Sequence, residues 1–273
     1  MNIISICPSN TELCTFLGIE EHLVAVDDFS DWPLSVKDLP RLGPDLSINM
    51  DQVEKLMPDL VLASLSVPGM EKNVEELKRR NIPHIVLNPQ SLDDIAADII
   101  QVGRALGMEA LAYDRVRAYQ AILSSFKEVS QTITNRPSLY WEWWPKPLFT
   151  PGQVNWLTEI SHLAGGENVF GDVELASVQP SHADVIQRAP EYICMAWVGV
   201  PQRKMQPSLI KKREGWQELE AVKNDRILVL EESLYCRPSP RLIDGLIKLA
   251  NILHPEKYQH LTAGGLWPWQ ENH

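Results

Sequence analysis

The chain has 273 residues and a formal net charge of −11, from 36 acidic against 25 basic side chains. A surface of that sign argues against nucleic acid or an anionic membrane as partner, since both need clustered cations, and favours a neutral or cationic small molecule. Apolar residues make up 44% and charged residues 22%; this is globular composition, long enough for two cores of roughly 100–150 residues each. No apolar run approaches the roughly 20 residues of a membrane helix, so no membrane insertion is expected.

The first half alternates short apolar runs with helical patterns. Residues 3–6, 24–26, 60–63 and 84–87 read as buried strands, and 11–17, 49–56, 71–80 and 92–106 as helices with apolar residues at three- and four-residue spacing. Asn10 and Asn49 suit helix N-caps. Such βα repeats build a mostly parallel sheet. Residues 108–133 then carry one long helical pattern (Leu111, Val116, Tyr119, Ile122, Phe126, Val129) with neither Pro nor Gly, too long for a crossover. After Arg136-Pro137 the alternation restarts, with strands at 138–141, 192–197 and 226–230 and helices at 154–164, 183–189 and 240–253. The expected fold is therefore α/β: two lobes with mostly parallel sheets flanked by helices, 1–107 and 136–258, bridged by a spine helix at 108–135. The tail, 259–273, holds Gly264-Gly265 and Trp267-Pro268-Trp269 without periodicity and is expected on the surface.

Three segments carry candidate chemistry. In CPSNTEL at 7–13, Pro8, Ser9 and Asn10 open a helix whose free N–H groups suit polar ligand groups. Aromatic residues crowd predicted loops: Trp32 in DFSDWP, the run Tyr140-Trp141-Glu142-Trp143-Trp144, Trp197, and Tyr235 in ESLYCRP. Indole rings are large and rigid and carry one N–H, so several converging rings wall a flat ligand. Strand alternation sends at least one of Trp141, Trp143 and Trp144 into the core. In SLYCRPSPR at 233–241, Arg237 either meets a ligand amide or phosphate or ties the loop to Glu231 and Glu232. His182, in QPSHAD, is the one histidine placed to reach a metal in a bound ligand, and a solvated helix start is its plainer reading.

No GxSxG elbow, phosphate loop, GxGxxG or HExxH occurs, so an enzyme is not expected. Cys7, Cys14, Cys194 and Cys236 are far apart with no CxxC pair, which suggests neither a zinc site nor a disulfide framework. Cys7 and Cys14 read as small buried apolar residues. Only Cys236, beside Arg237, suits thiolate chemistry even loosely. The first residues, MNIISICPSNTEL, show no signal-peptide pattern, so the chain as written is expected in the cytoplasm.

CPSNTELCTFLG (7–18), FSDWP (29–33), NMDQVEKLMPDLVLAS (49–64), PLFTPG (147–152), HLAGGENVF (162–170) and RPSPRLIDGL (237–246), in that order, resemble the helical-spine class of ABC-transporter substrate-binding proteins, closest to its cobalamin-binding branch. The resemblance covers nearly the whole chain. It implies a monomer that needs no cofactor of its own and holds a corrinoid, as ligand, in an aromatic cleft between the lobes, either for an ABC permease or as a stand-alone carrier. Haem or iron-siderophore binding is one alternative on this frame, and a corrinoid- or chelate-processing enzyme is another. By residue, it implies ligand contacts at Pro8, Ser9, Asn10, Trp32, Trp143 and Arg237. Ser64 stands where the cobalamin branch places a tryptophan, and the second-lobe cleft tryptophan has no counterpart between Ser177 and His182. Two exposed glutamates dock such proteins on their permease. Glu71 matches the first; the second falls on Ala183, beside Asp184, so weakened docking is expected.

Overall fold

The computed structural model describes residues 1–263; Gly264-Gly265 and Trp267-Pro268-Trp269, expected on the surface, lie outside the described residues. The chain divides into two compact units, Met1–Gln120 with Pro238–Pro240, and Ala121–Arg237 with 241–263.

In the first unit the order is β1 (Ile3–Ser5), α1 (Pro8–Leu17), β2 (Leu23–Val26), α2 (Met50–Lys55), β3 (Leu60–Ser64), α3 (Glu71–Arg79), β4 (His84–Leu87) and α4 (Leu92–Ala105). The sheet runs β2-β1-β3-β4 and every pairing is parallel. Every residue of β1 and β3 is buried, because helices cover both faces of a parallel sheet. Ile4, Val61 and Ala63 from the sheet meet Val53, Val74 and Leu77 from the helices in one core. Helix α1 begins three residues before the helical spacing suggested. Pro8 takes the first turn, where its fixed φ fits and its missing N–H costs nothing, and Gly18 closes the helix at φ 72°.

A capping box, Ser91 with Asp94, starts α4. Near its end Gly103 lets the chain pass against the next helix, α5 (Glu109–Gln131): a Cβ there would lie 2.3 Å from that of Ala112. Helix α5 is the expected spine. The division between the units falls inside it, after Gln120, so Tyr119 sets its ring edge against Phe16 in one unit, while Phe126 stacks on Tyr258 in the other.

The second unit continues with β5 (Ser138–Glu142), β6 (Trp144–Pro145), β7 (Leu148–Pro151), α6 (Trp156–Leu163), β8 (Glu167–Asn168), β9 (Ser177–Val178), α7 (His182–Arg188), β10 (Tyr192–Met195), α8 (Pro207–Lys211), α9 (Glu220–Lys223), β11 (Ile227–Val229), α10 (Glu232–Tyr235), α11 (Leu242–Leu253) and α12 (Pro255–Tyr258). Its main sheet, β11-β10-β5-β8, is again all parallel. The small antiparallel sheet β6-β7-β9 was not legible in the sequence, because pairs of two to four residues are too short to show a period. Tyr140, Ile193, Met195, Trp216 and Ile227 form the core.

One buried carboxyl sits on the apolar face of α4. Burial, with Asp94 adding like charge, pushes the Asp98 carboxyl up to about 7. The fold thus prefers the neutral acid: the contribution is full below about pH 4 and is lost as pH rises through 7. Asp98→Asn is expected to raise unfolding stability at pH 8 by about 1–3 kcal/mol and to flatten its fall between pH 4 and 7; urea titrations across that range measure it.

Candidate functional site

Ligands of open parallel sheets bind beyond the carboxyl ends of the strands, where the strand order reverses. In the first unit this edge holds the loops after β1, β2 and β3. The loop after β1 is largely self-satisfied. Asn10 and Thr11 donate their amides back to the Cys7 carbonyl at 3.1 and 3.2 Å, Pro8 has none, and the Asn10 side chain donates to the Ala63 carbonyl at 3.0 Å. Pro8, Ser9 and Asn10 are all buried. The expected row of free N–H groups is therefore corrected: the turn spends its donors on its own chain.

Beneath it, hydroxyls form a chain to a carboxylate: Ser5 lies 2.8 Å from Thr11, Thr11 lies 2.7 Å from Ser30, and Ser30 donates to Asp27 at 2.5 Å. The loop carrying Trp32 is fastened by Arg41, whose guanidinium donates to the carbonyls of Asp27, Ser30, Val36 and Lys37 at 2.6–3.2 Å. Trp32 is thus a half-buried ring on a braced loop. Ser64, at the end of β3, is buried and donates to the Ser66 hydroxyl at 2.9 Å. Glu71, exposed at the first position of α3, accepts the Gly69 amide at 2.7 Å.

In the second unit β10 and β5 are neighbours, so Trp143, Trp144 and Trp197 leave adjacent strand ends. The structure places Trp141 wholly in the core, where its indole donates to Ser161 at 2.8 Å. Trp143 is half-buried with its ring 6.1 Å from that of Trp156, and its indole N–H has no partner. Trp144 is 41% exposed, its N–H given to the Lys146 carbonyl. Trp197 is buried in the core beside Met195 and Met205 and donates to Glu142 at 3.0 Å, so its place in the ligand set is corrected to a ring that backs the edge.

Tyr235 does not face the solvent. It is fully buried against Trp141 and donates its hydroxyl to the Gly245 carbonyl, so its place in the ligand set is corrected to the core. Arg237 adopts the second of its two readings: its Nε and Nη2 donate to Glu232 at 3.2 and 3.1 Å. His182 is exposed at the start of α7, its ring centre 5.5 Å from that of Trp216 in an edge-to-face arrangement. Asp184 is exposed too, but its carboxylate accepts both the amide and the hydroxyl of Ser181 at 2.8 Å, and those bonds hold it below the usual carboxylate range.

All four thiols are held protonated. Burial pushes Cys7 up to about 11 and raises Cys14, Cys194 and Cys236 as well; the Cys236 thiol donates to the Ala196 carbonyl. Among the described residues no cluster of His, Cys, Asp and Glu is arranged to hold a metal ion.

The organising residue of this edge is one that sequence reasoning passed over. Glu142 ends β5 with no exposed surface and accepts two bonds from Arg213 at 2.5 and 2.8 Å, one from Trp197 and one from Tyr140 at 3.3 Å. Arg213 in turn lies 4.6 Å over the Trp216 ring. A lone acid inside the aromatic run 140–144 was the available signal; nothing in KKRE at 211–214 marks Arg213 as its partner.

Two units of parallel strands with aromatic and polar side chains on their carboxyl edges are the frame of a substrate-binding protein of the ABC-importer type. Residues 3–234 match the periplasmic binding protein family, and the chain belongs to it. An uncharacterized ABC transporter substrate-binding lipoprotein, YvrC of Bacillus subtilis, is 29% identical over 262 residues, 94% of this chain and 81% of that protein. Among solved structures, the periplasmic vitamin B12 binding protein BtuF of Vibrio cholerae superposes with a TM-score of 0.76 at 25% identity, covering 95% of this chain and 98% of that one. IsdE of S. aureus, complexed with heme, shares the fold with a TM-score of 0.81 at 19% identity, over 93% and 98% of the two chains. Members of the family are periplasmic or surface lipoproteins that bind a small molecule and work with an ABC permease. Among the described residues no helix is long and apolar enough to cross a membrane.

Leaving the Arg213 charge without its counterion is costly. Glu142→Ala is expected to lower unfolding stability by about 3–5 kcal/mol, against less than about 1 for the exposed pair Lys211–Asp225; chemical denaturation of both variants compares them.

Proposed function

We propose that the chain is the corrinoid-binding component of an ABC importer, in preference to a haem or siderophore binder, and that it acts outside the cytoplasmic membrane as its relatives do. The observation that carries this reading is the pair of indole rings on the carboxyl edge of the second unit, Trp143 packed on Trp156 and the partly exposed Trp144, beside the buried Trp197 ring that Glu142 fixes. A corrin is broad and flat, with uncharged amide arms, and such a ligand is gripped by rigid apolar walls and a few neutral donors. The full-length likeness to a vitamin B12 binding protein supports it. Against the processing-enzyme alternative, the half-buried Cys236 thiol donates to the Ala196 carbonyl, and desolvation raises it above the usual thiol range.

Trp32, Trp143 and Arg237 are assigned to ligand contact, with Pro8, Ser9, Asn10 and Ser64 shaping the first unit's edge. Trp32→Ala and Trp143→Ala are each expected to weaken aquocobalamin binding by about 1–3 kcal/mol in isothermal titration; parent-like affinity in both variants would remove the aromatic-wall reading. His182 is assigned as an imidazole donor to cobalt. A visible-band shift on mixing aquocobalamin with the parent, absent in His182→Ala, supports that role, and an unshifted parent spectrum ends it.

For the permease, Glu71 and Asp184 are the proposed anionic contacts, and they differ in how firmly each is engaged by its own chain. The Asp184 carboxylate is already bound by Ser181. Glu71→Ala is therefore expected to weaken docking on a reconstituted importer by at least about tenfold, and Asp184→Ala by less; the reverse order would reassign the principal contact to α7.

A further inference from the structure

We propose that the carboxyl edge of the second unit selects metal chelates whose arms are uncharged and rejects those bearing free carboxylates. The proposal rests on the chelate-binding reading above and adds the charge class of the ligand.

Two half-sequestered guanidinium groups on this edge, those of Arg213 and Arg237, would be the strong donors for an anionic ligand, and each is paired with a carboxylate of the chain. Arg213 spends two N–H groups on Glu142, whose side chain is fully buried, and its own side chain is 12% exposed. Arg237, 9% exposed at its side chain, donates twice to Glu232. For a ligand carboxylate to reach either guanidinium it must displace a carboxylate that the fold already holds at 2.5–3.2 Å. That internal competitor loses no translational freedom when it rebinds, so the exchange is unfavourable. A carboxylate that does not displace it lies beside it, and like charges at short range in a poorly hydrated site repel strongly. The exposed cations nearby, Lys146, Arg203 and Lys204, are hydrated and offer only screened attraction.

The first unit adds an acidic loop. Its long β2–α2 loop, residues 27–49, contains Asp27, Asp28, Asp31, Asp38 and Asp45 against Lys37 and Arg41, and Arg41 is committed to four backbone carbonyls. An amide arm meets none of these penalties: it carries no charge and can accept from a guanidinium edge or donate to Glu232 without breaking the ion pair.

The test uses two matched pairs and titration by visible absorption. The first is a dicyano-corrin with all its peripheral arms as amides, against the same corrin with free acids. The second is iron protoporphyrin with free propionates, against its dimethyl ester. In whichever scaffold binds, the uncharged form is expected to bind at least about tenfold tighter than the acid, and Glu232→Gln, which removes the carboxylate charge beside Arg237, to shrink that ratio several-fold. Equal or tighter binding of the acids by the parent overturns the proposal, as does an unchanged ratio in a Glu232→Gln protein that melts like the parent. If that variant does not fold, the parent's ratio decides. Binding of the porphyrin pair alone would overturn the corrinoid reading and leave charge selection to its own ratio. Binding of neither pair in either form overturns both.

Discussion

Glu142 is a carboxylate with no solvent contact, and the carboxyl edge of the second unit is arranged around that constraint. An unpaired buried charge costs several kcal/mol, so every oxygen must find a donor. Arg213 supplies two, Trp197 one and Tyr140 one. Each bond also positions something else: the Trp197 ring is oriented by its N–H, and Arg213 is drawn over Trp216, against which His182 rests. Four chain segments, at 140–142, 182, 197 and 213–216, are thereby brought together at one edge of one sheet.

The first unit reaches a stiff edge by another route. There the work is done by backbone carbonyls gathered by Arg41 and by a file of hydroxyls ending on Asp27, with no buried ion pair at the strand ends among those bonds. Both devices hold loops that would otherwise be loose, and a wall that does not have to be ordered on binding keeps more of its contact energy as affinity. Loops braced in this way suit a protein whose task is to hold a ligand and release it whole.

The core and the ligand-facing edge of such a frame are set by different residues. Parallel strands and their crossovers are set by the core, while the ligand meets only the side chains at the strand ends. Ile193 and Met195 lie in the core beneath that edge, and the charged side chains stand above it. That is consistent with a fold shared with both a vitamin B12 binding protein and a protein solved with heme.

The repeated βα alternation, the long helix and the buried strands were legible in the amino-acid sequence, because burying both faces of a parallel sheet forces continuous apolar runs, and helices leave their own period. His84–Leu87 was placed residue for residue, and most other elements within one to three residues. Crowded loop aromatics marked the edge that carries Trp143 and Trp197. What each ring does was decided only by tertiary structure. Tyr235 and Trp143 look alike in sequence, yet one is sealed against Trp141 and the other stands at the edge of the sheet. Arg213 was invisible, being 71 positions from its partner. Local pattern records which residues are apolar and at what spacing; which charge meets which across 71 residues depends on how strands are ordered in the sheet, and no short-range period encodes that order.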